Sequence, residues 1–238
     1  MTRRLLLVLA IVALAAGAAA GSVSAASPSL PTVHPADFVA AVTNPWLPLK
    51  PGTTKTLKGV RAGQPTVVVM TVTKRTKLIL GVRTTVVDDK VYTAGKLSER
   101  TTDWYAQDKL GNVWYFGEAT AELDAKGNIT STEGSWQAGV GGAQAGIVMP
   151  GAPRVGRSFR QEYLPGHAED QFSIVSLGAS VHVPYVAVTG RALLTKEWTR
   201  LEPSVLEHKY YVRGIGEVKS LTVKGPHEVM TLVSVTHH

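Results

Sequence analysis

Residues 103–118 read Asp103-Trp-Tyr-Ala-Gln-Asp-Lys-Leu-Gly-Asn-Val-Trp-Tyr-Phe-Gly-Glu118. Two runs rich in aromatic residues flank the turn sequence Asp108-Lys-Leu-Gly111-Asn112. An Asp at the first position accepts backbone N–H groups, and a Gly takes the left-handed position that follows. This predicts a β-hairpin with a short bulged loop. The same D-x-x-G-N pattern recurs at Asp124-Ala-Lys-Gly127-Asn128. Both stretches are too short for the twelve-residue ligand set of a calcium loop, so they read as turns.

Pairing Asp108 with Asn112 sets a register. Ala106 then faces Trp114, Trp104 faces Phe116 and Thr102 faces Glu118. On the other face, Gln107 meets Val113, Tyr105 meets Tyr115 and Asp103 meets Gly117. Side chains alternate between the two faces of a strand. Trp104, Trp114 and Phe116 are therefore expected in a core. Asp103, Tyr105, Gln107 and Tyr115 form an amphipathic face, read either as a ligand cavity or as a solvent face. In this register Asp103 and Glu118 fall on opposite faces, which argues against a paired-carboxylate site.

The pattern extends outward from this hairpin. From residue 53 onward, Thr and Val dominate and turn residues recur every eight to twelve positions. Strands are expected at 53–61, 66–75, 77–91, 98–107, 112–118, 121–123 with 128–131, 158–163, 170–177, 181–188, 191–200, 206–212 and 217–235. No helical period is evident after residue 50. The fold class is all-β: an antiparallel meander forming a closed or half-open barrel, lipocalin-like or LolA-like. A short helix at 35–42 and a long Gly-rich loop are added to it. Asn44-Pro-Trp-Leu-Pro48, a Trp between prolines, suggests a plug or lid across one end of the barrel. Residues 133–156 hold seven glycines and two prolines and show no strand pattern. They also carry Trp136, Ile147, Val148 and Met149, so the loop is expected to be ordered and folded back over the barrel.

The 238 residues carry a net charge of +7 and no cysteine. Disulfides, thiol nucleophiles and iron–sulfur clusters are thereby excluded. Arg3 and Arg4 precede an apolar run at 5–20, and Val23-Ser24-Ala25 supplies small residues for cleavage. This is the layout of a secretory signal peptide cleaved near Ala25, with an uncleaved anchor as the alternative. The domain reading is 1–25 signal, 26–52 leader, and 53–238 a single barrel-like domain. The expected location is secreted or periplasmic. A modest positive charge suits peripheral contact with the cell envelope. No basic stripe interleaved with aromatics indicates nucleic acid.

No HExxH, P-loop, G-x-S-x-G or post-strand G-x-G-x-x-G motif is present, so no cofactor is implied and catalytic residues are not identified. Glu162, His167, Glu169 and Asp170 flank Pro165-Gly166 near Arg160; they read as a solvated turn or a divalent-metal set. If 202–205 is a loop, Glu197 faces Tyr210, Thr199 faces His208, and all four share a face, with Arg200 opposite Glu207. Glu197 near His208 suits a general base and its orienter, or satisfied polar groups inside a barrel.

Asp103-Trp-Tyr-Ala-Gln-Asp108, Gly111-Asn-Val-Trp-Tyr-Phe-Gly-Glu118 and Gly134-Ser-Trp-Gln-Ala-Gly139 together resemble a family of secreted bacterial β-proteins with no assigned activity. So do Arg160-Gln-Glu-Tyr163, Pro165-Gly-His-Ala-Glu-Asp170, Thr195-Lys-Glu-Trp198 and Glu207-His-Lys-Tyr-Tyr211. Asp108-Lys-Leu-Gly111 departs from the Asp-Lys-Asp-Gly expected there. Tyr210-Tyr-Val-Arg-Gly-Ile-Gly-Glu-Val218 resembles the last strands of LolA-like lipid-carrying half-barrels, which implies a curved sheet and a lid.

Three functions are carried forward. The first is a secreted protein binding an apolar or amphipathic, lipid-like small molecule. Tyr105, Tyr115, Trp136, Met149 and Tyr210 would supply apolar contact, and Asp103, Glu197 and His208 would orient the ligand. The second is a small hydrolase or isomerase using Glu and His groups. The third is an envelope interaction module without a pocket, marked by a flat exposed aromatic patch.

Overall fold

The computed structural model describes residues 32–238; the signal segment and the first leader residues lie outside the described residues. The chain enters through a three-residue 3-10 turn, Pro35–Asp37, and strand β1 (Phe38–Val39). This replaces the helix expected at 35–42. Phe38 and Val39 pair with Asp108 and Gln107, and that edge pairing outcompetes a single helical turn.

Then follow β2 (Thr53–Arg61), β3 (Gln64–Ile79), β4 (Val82–Thr93), β5 (Lys96–Asp108) and β6 (Val113–Leu123). β7 (Ile129–Ser131) follows, and the Gly-rich region 133–156, expected as a loop without strands, instead supplies β8 (Trp136–Gln137) and β9 (Gln144–Met149), both of which pair with β6. The remainder is β10 (Ser158–Arg160), β11 (Glu162–Tyr163), β12 (Asp170–His182), β13 (Ala187–Thr199), β14 (Leu206–Val212), β15 (Gly216–Lys224) and β16 (Glu228–His237).

Neighbouring strands run antiparallel in the order β10-β12-β13-β14-β15-β16-β2-β3-β4-β5-β6-β9-β11. The first and last members, β10 and β11, are one stretch of chain separated by Gln161. β10 pairs with β12, while β11 pairs with β9. This stretch brings the two ends of the sheet together as a nearly closed barrel, which protects its edges. Gly146 permits the approach, since a Cβ there would lie 2.3 Å from the Arg160 carbonyl.

The runs expected at 77–91, 181–188 and 217–235 each contain a tight reversal. Leu80-Gly81 separates β3 from β4, with φ of 50° and 77°. Ala62-Gly63 and Ala94-Gly95 repeat this geometry. Both central residues are left-handed, the geometry of a type I′ hairpin turn. Only the second position shows the usual sequence signal, which is why the turn at 80–81 is hard to read.

The two D-x-x-G-N turns form as expected. Asp108 Oδ1 accepts the N–H groups of Leu110 and Asn112, each at 2.9 Å, and Oδ2 accepts from Trp114 Nε1 at 2.9 Å. Asp124 repeats the pattern with Lys126 and Asn128. Both carboxylates serve the turn itself.

The barrel interior is layered. Leu57, Val68, Val91, Val218, Met230 and Leu232 fill one end. The 183–186 turn crosses that end, where Tyr185 N–H donates to the Leu232 carbonyl at 3.2 Å. Trp46 and Leu49 pack nearer the middle, against Val72, Phe172, Leu193 and Tyr211. The Trp-Pro segment is thus a plug inside the barrel. It is held by Asn44, whose N–H donates to Gln107 Oε1 at 2.7 Å and whose amide donates to the Gly111 and Pro150 carbonyls. Outside the hairpin, Trp104, Trp114 and Phe116 form a separate layer with Ile79, Ala138 and Ala143. The Phe38 ring caps this layer, edge-on to Trp114 and Phe116 at 5.5 Å each.

Ala94 carries a left-handed φ of 49° and is exposed. Ala94→Asn, matching the residue that a type I′ turn favours, is expected to stabilise the fold by about 0.5–1 kcal/mol. A rise of a few degrees in melting temperature checks this.

Candidate functional site

The β5–β6 hairpin holds its expected register only near the turn. Gln107 faces Val113, Ala106 faces Trp114 and Tyr105 faces Tyr115. Beyond that the register shifts, and Asp103 pairs with Glu118 rather than Gly117. Strand β6 carries a bulge at Gly117, whose φ is +127°. A Cβ at this position would sit 2.3 Å from the Trp136 carbonyl of β8. Glycine therefore permits both the backbone conformation and the close pairing of β8. The extra residue brings Glu118 to the same face as Asp103, which corrects the reading that separates these acids.

Asp103 and Glu118 line a chamber of about 60 Å³. That volume has room for about four waters. The lower plug and barrel wall contribute Leu47, Leu49, Leu57 and Met70, and the Gly-rich region contributes Val148. Asp89, Tyr105, Glu217, Lys55 and Lys209 also line it. Tyr115 is fully buried behind the chamber and donates to Asp103 Oδ1 at 2.7 Å. Its ring stacks on Tyr105 at 4.9 Å and meets Trp136 edge-on at 5.3 Å. Glu118 is only 2% exposed, yet neither carboxylate oxygen has a hydrogen-bond partner.

Two electrostatic environments meet here. In one, Lys209 Nζ lies 2.8 Å from Glu197 Oε2. Thr195 donates to the other Glu197 oxygen at 2.8 Å, and Gln161 donates to Oε2 at 3.1 Å. Burial works against the Lys209 charge, but Glu197, Glu217 and Glu207 hold its pKa above the ordinary lysine value. This is a satisfied ion pair. In the other, carboxyl groups crowd together with little positive charge. Burial and then Asp89 push Asp103 well up, the Tyr115 hydrogen bond opposing them. Burial, Asp103 and Glu162 do the same to Glu118. Asp89 is pushed up to about 7 by burial and Glu217. Burial lowers Lys55 to about 8 despite Glu217 and Asp89, and its ammonium has no hydrogen-bond partner.

The expected site residues divide between this chamber and other places. Asp103 and Tyr105 line it, while Tyr115, Trp136 and Glu197 stand behind or beside it. Met149 is fully buried in the adjoining core with Phe172 and Val113. His208 and Tyr210 lie on the other face. Glu197 is opposite Glu207, Lys196 is opposite His208 and Leu194 is opposite Tyr210. The connection between β13 and β14 is longer than a 202–205 loop, and the resulting odd slip of register reverses the face. The Glu197–His208 pair is therefore not formed, and Arg200 is not opposite Glu207. Around Pro165-Gly166, Glu162 and Asp170 are buried, whereas His167 is exposed and Glu169 half-buried. Glu169 accepts the Gly166 N–H at 2.9 Å. Among the described residues, no three His, Asp or Glu side chains are grouped to hold a metal.

Glu118, Lys55, Asp89, Lys209 and Glu217 were not expected at the site. A glycine inside an otherwise continuous strand is the signal that could have placed Glu118. A charged residue in phase with the apolar positions of a Thr/Val-rich strand, as Lys55 is with Leu57, could have found the rest.

No family model matches the chain, and no curated protein matches it. Two solved structures are similar at the level of fold. One is a Bacteroides fragilis protein of YmcC-like fold, inferred to be exported. It is 15% identical over 79% of this chain and 96% of its own, with a TM-score of 0.43. The other is a Parabacteroides distasonis protein inferred to be a lipoprotein. It is 10% identical over 80% of this chain and 98% of its own, with a TM-score of 0.39.

Gly117→Ala is expected to cost about 3 kcal/mol through strain and overlap with β8, read by denaturant unfolding. The buried acids predict an unusual pH profile. Glu207 is pushed up to about 8 and Glu217 to about 7, in both cases chiefly by burial. Between the unfolded carboxyl value near 4 and these folded values, the native state holds more protons. Stability should therefore fall as pH rises from about 5 to about 8. Melting curves across that range check this, and Asp89→Asn should flatten the slope.

Proposed function

We propose that this is an exported binding protein for a small amphipathic molecule, whose polar end enters the barrel. The observation that carries this reading is the mixed lining of the chamber. Leu47, Leu49, Met70 and Val148 supply apolar surface, and the buried Asp103–Glu118 pair supplies polar groups. Apolar walls with a few convergent polar groups are the usual composition of a small-molecule site. Unmet hydrogen-bonding capacity on Glu118 adds a demand that a ligand would satisfy. The signal-peptide pattern of residues 1–25 supports export.

The chamber volume favours a compact molecule or a head group over a whole acyl chain. A lipid-like ligand would leave its tail at the mouth, against Leu47 and Val148, unless the Trp46 plug withdraws. An envelope interaction module is less well supported, because Trp46, Trp104, Trp114 and Trp136 are all buried.

Native mass spectrometry of the protein purified from its own host, followed by organic extraction, tests the reading. The expected result is a co-purifying small organic molecule, lost from a Leu49→Glu variant. Protein that is empty as isolated and fails to take up a panel of amphiphiles in solution would overturn it.

A further inference from the structure

The Asp103–Glu118 wall is short of hydrogen-bond donors. Tyr115 supplies one donor to Asp103, and the two oxygens of Glu118 have none. Two lysines line the same chamber, and neither ammonium is hydrogen-bonded to Glu118 or Asp103. Lys209 is bound to Glu197 at 2.8 Å. Lys55 lies in the field of Glu217 and Asp89. Tyr105 adds an aromatic ring to the same chamber, and such a ring attracts cations.

We propose that the chamber binds the protonated amine of a small organic molecule, seated between Glu118 and Asp103 beside Tyr105, with its carbon body against Leu47, Leu49 and Val148. This rests on the reading of the barrel as an amphiphile-binding protein and names the head group. An ammonium brings three donors and a positive charge to Glu118, whose two oxygens have no donor, and to Asp103, which has one. A carboxylate head would bring more acceptors to a wall already crowded with carboxyl groups, and a hydroxyl would bring one donor and no charge. A bare divalent metal fits less well. It requires several oxygen ligands in one place, and no such group occurs among the described residues. The apolar wall also gives a bare metal nothing to match.

The test titrates the purified full-length exported protein with n-butylammonium, n-butanol and n-butyrate in parallel, by calorimetry at neutral pH. Butylammonium is expected to bind saturably and roughly tenfold or more tighter than the other two, as a charge-assisted contact requires. Glu118→Gln should remove that advantage while the melting temperature is retained, and Glu169→Gln, on the exposed turn, should leave it intact. If Glu118→Gln does not fold, the wild-type ranking of the three probes decides. Equal or tighter binding of the alcohol or the carboxylate overturns the amine assignment and leaves amphiphile binding standing. Binding of none of the three overturns both.

Discussion

The bulge at Gly117 decides which way β6 faces, and much of the molecule follows from it. Without the extra residue, Glu118 would share the outer face with Trp114 and Phe116, an apolar layer capped by Phe38. A charge there would be buried with no compensation. With the bulge, the acid turns inward and joins Asp103. The missing Cβ also lets β8 pair directly at Gly117 and Glu118, which brings Trp136 against Tyr115. One backbone position thus couples the acid chamber, the outer aromatic layer and the Gly-rich segment.

The interior is unusual for the number of ionisable groups it keeps from water. Part of this charge is compensated. Glu197 is held by Lys209, Thr195 and Gln161, and Arg61 Nε lies 2.6 Å from Glu228. Removing one member of such a pair is costly because its partner stays buried. Around Asp103 and Glu118 the compensation is incomplete, and burial with the neighbouring carboxyl groups raises the pKa of both. A fold selected for stability alone would fill this space with aliphatic side chains. Unsatisfied groups beside an apolar wall are the kind of local departure expected where a protein binds something.

The plug shows how a short proline-rich leader becomes part of that wall. Asn44 is 2% exposed and joins the backbone at Gly111 and Pro150 to the leader. Its side-chain oxygen also accepts the N–H of Trp46 at 2.8 Å. Pro45 and Trp46 form a turn in which the Leu47 N–H donates to the Asn44 carbonyl at 3.1 Å, and Asn44 fixes where the segment enters, so Leu47 and Leu49 arrive at the chamber from outside the barrel's own strands.

Local sequence by itself determined the strand-rich character, the D-x-x-G-N turns, the order within the Gly-rich region and the burial of the hairpin's aromatic face. These depend on period-two alternation and on turn chemistry, which are carried by adjacent residues. It did not determine which acids meet. Asp103 and Glu118 were separated by a register counted straight from the turn, and Glu197 was joined to His208 by a loop counted too short. Each error is an odd slip, and an odd slip reverses a face. Only the tertiary structure decided these points. Whether a bulge forms at Gly117 depends on the carbonyl of Trp136, and whether the sheet closes depends on residues 158–163 reaching both β12 and β9. Those contacts join distant parts of the chain, and no local pattern encodes them.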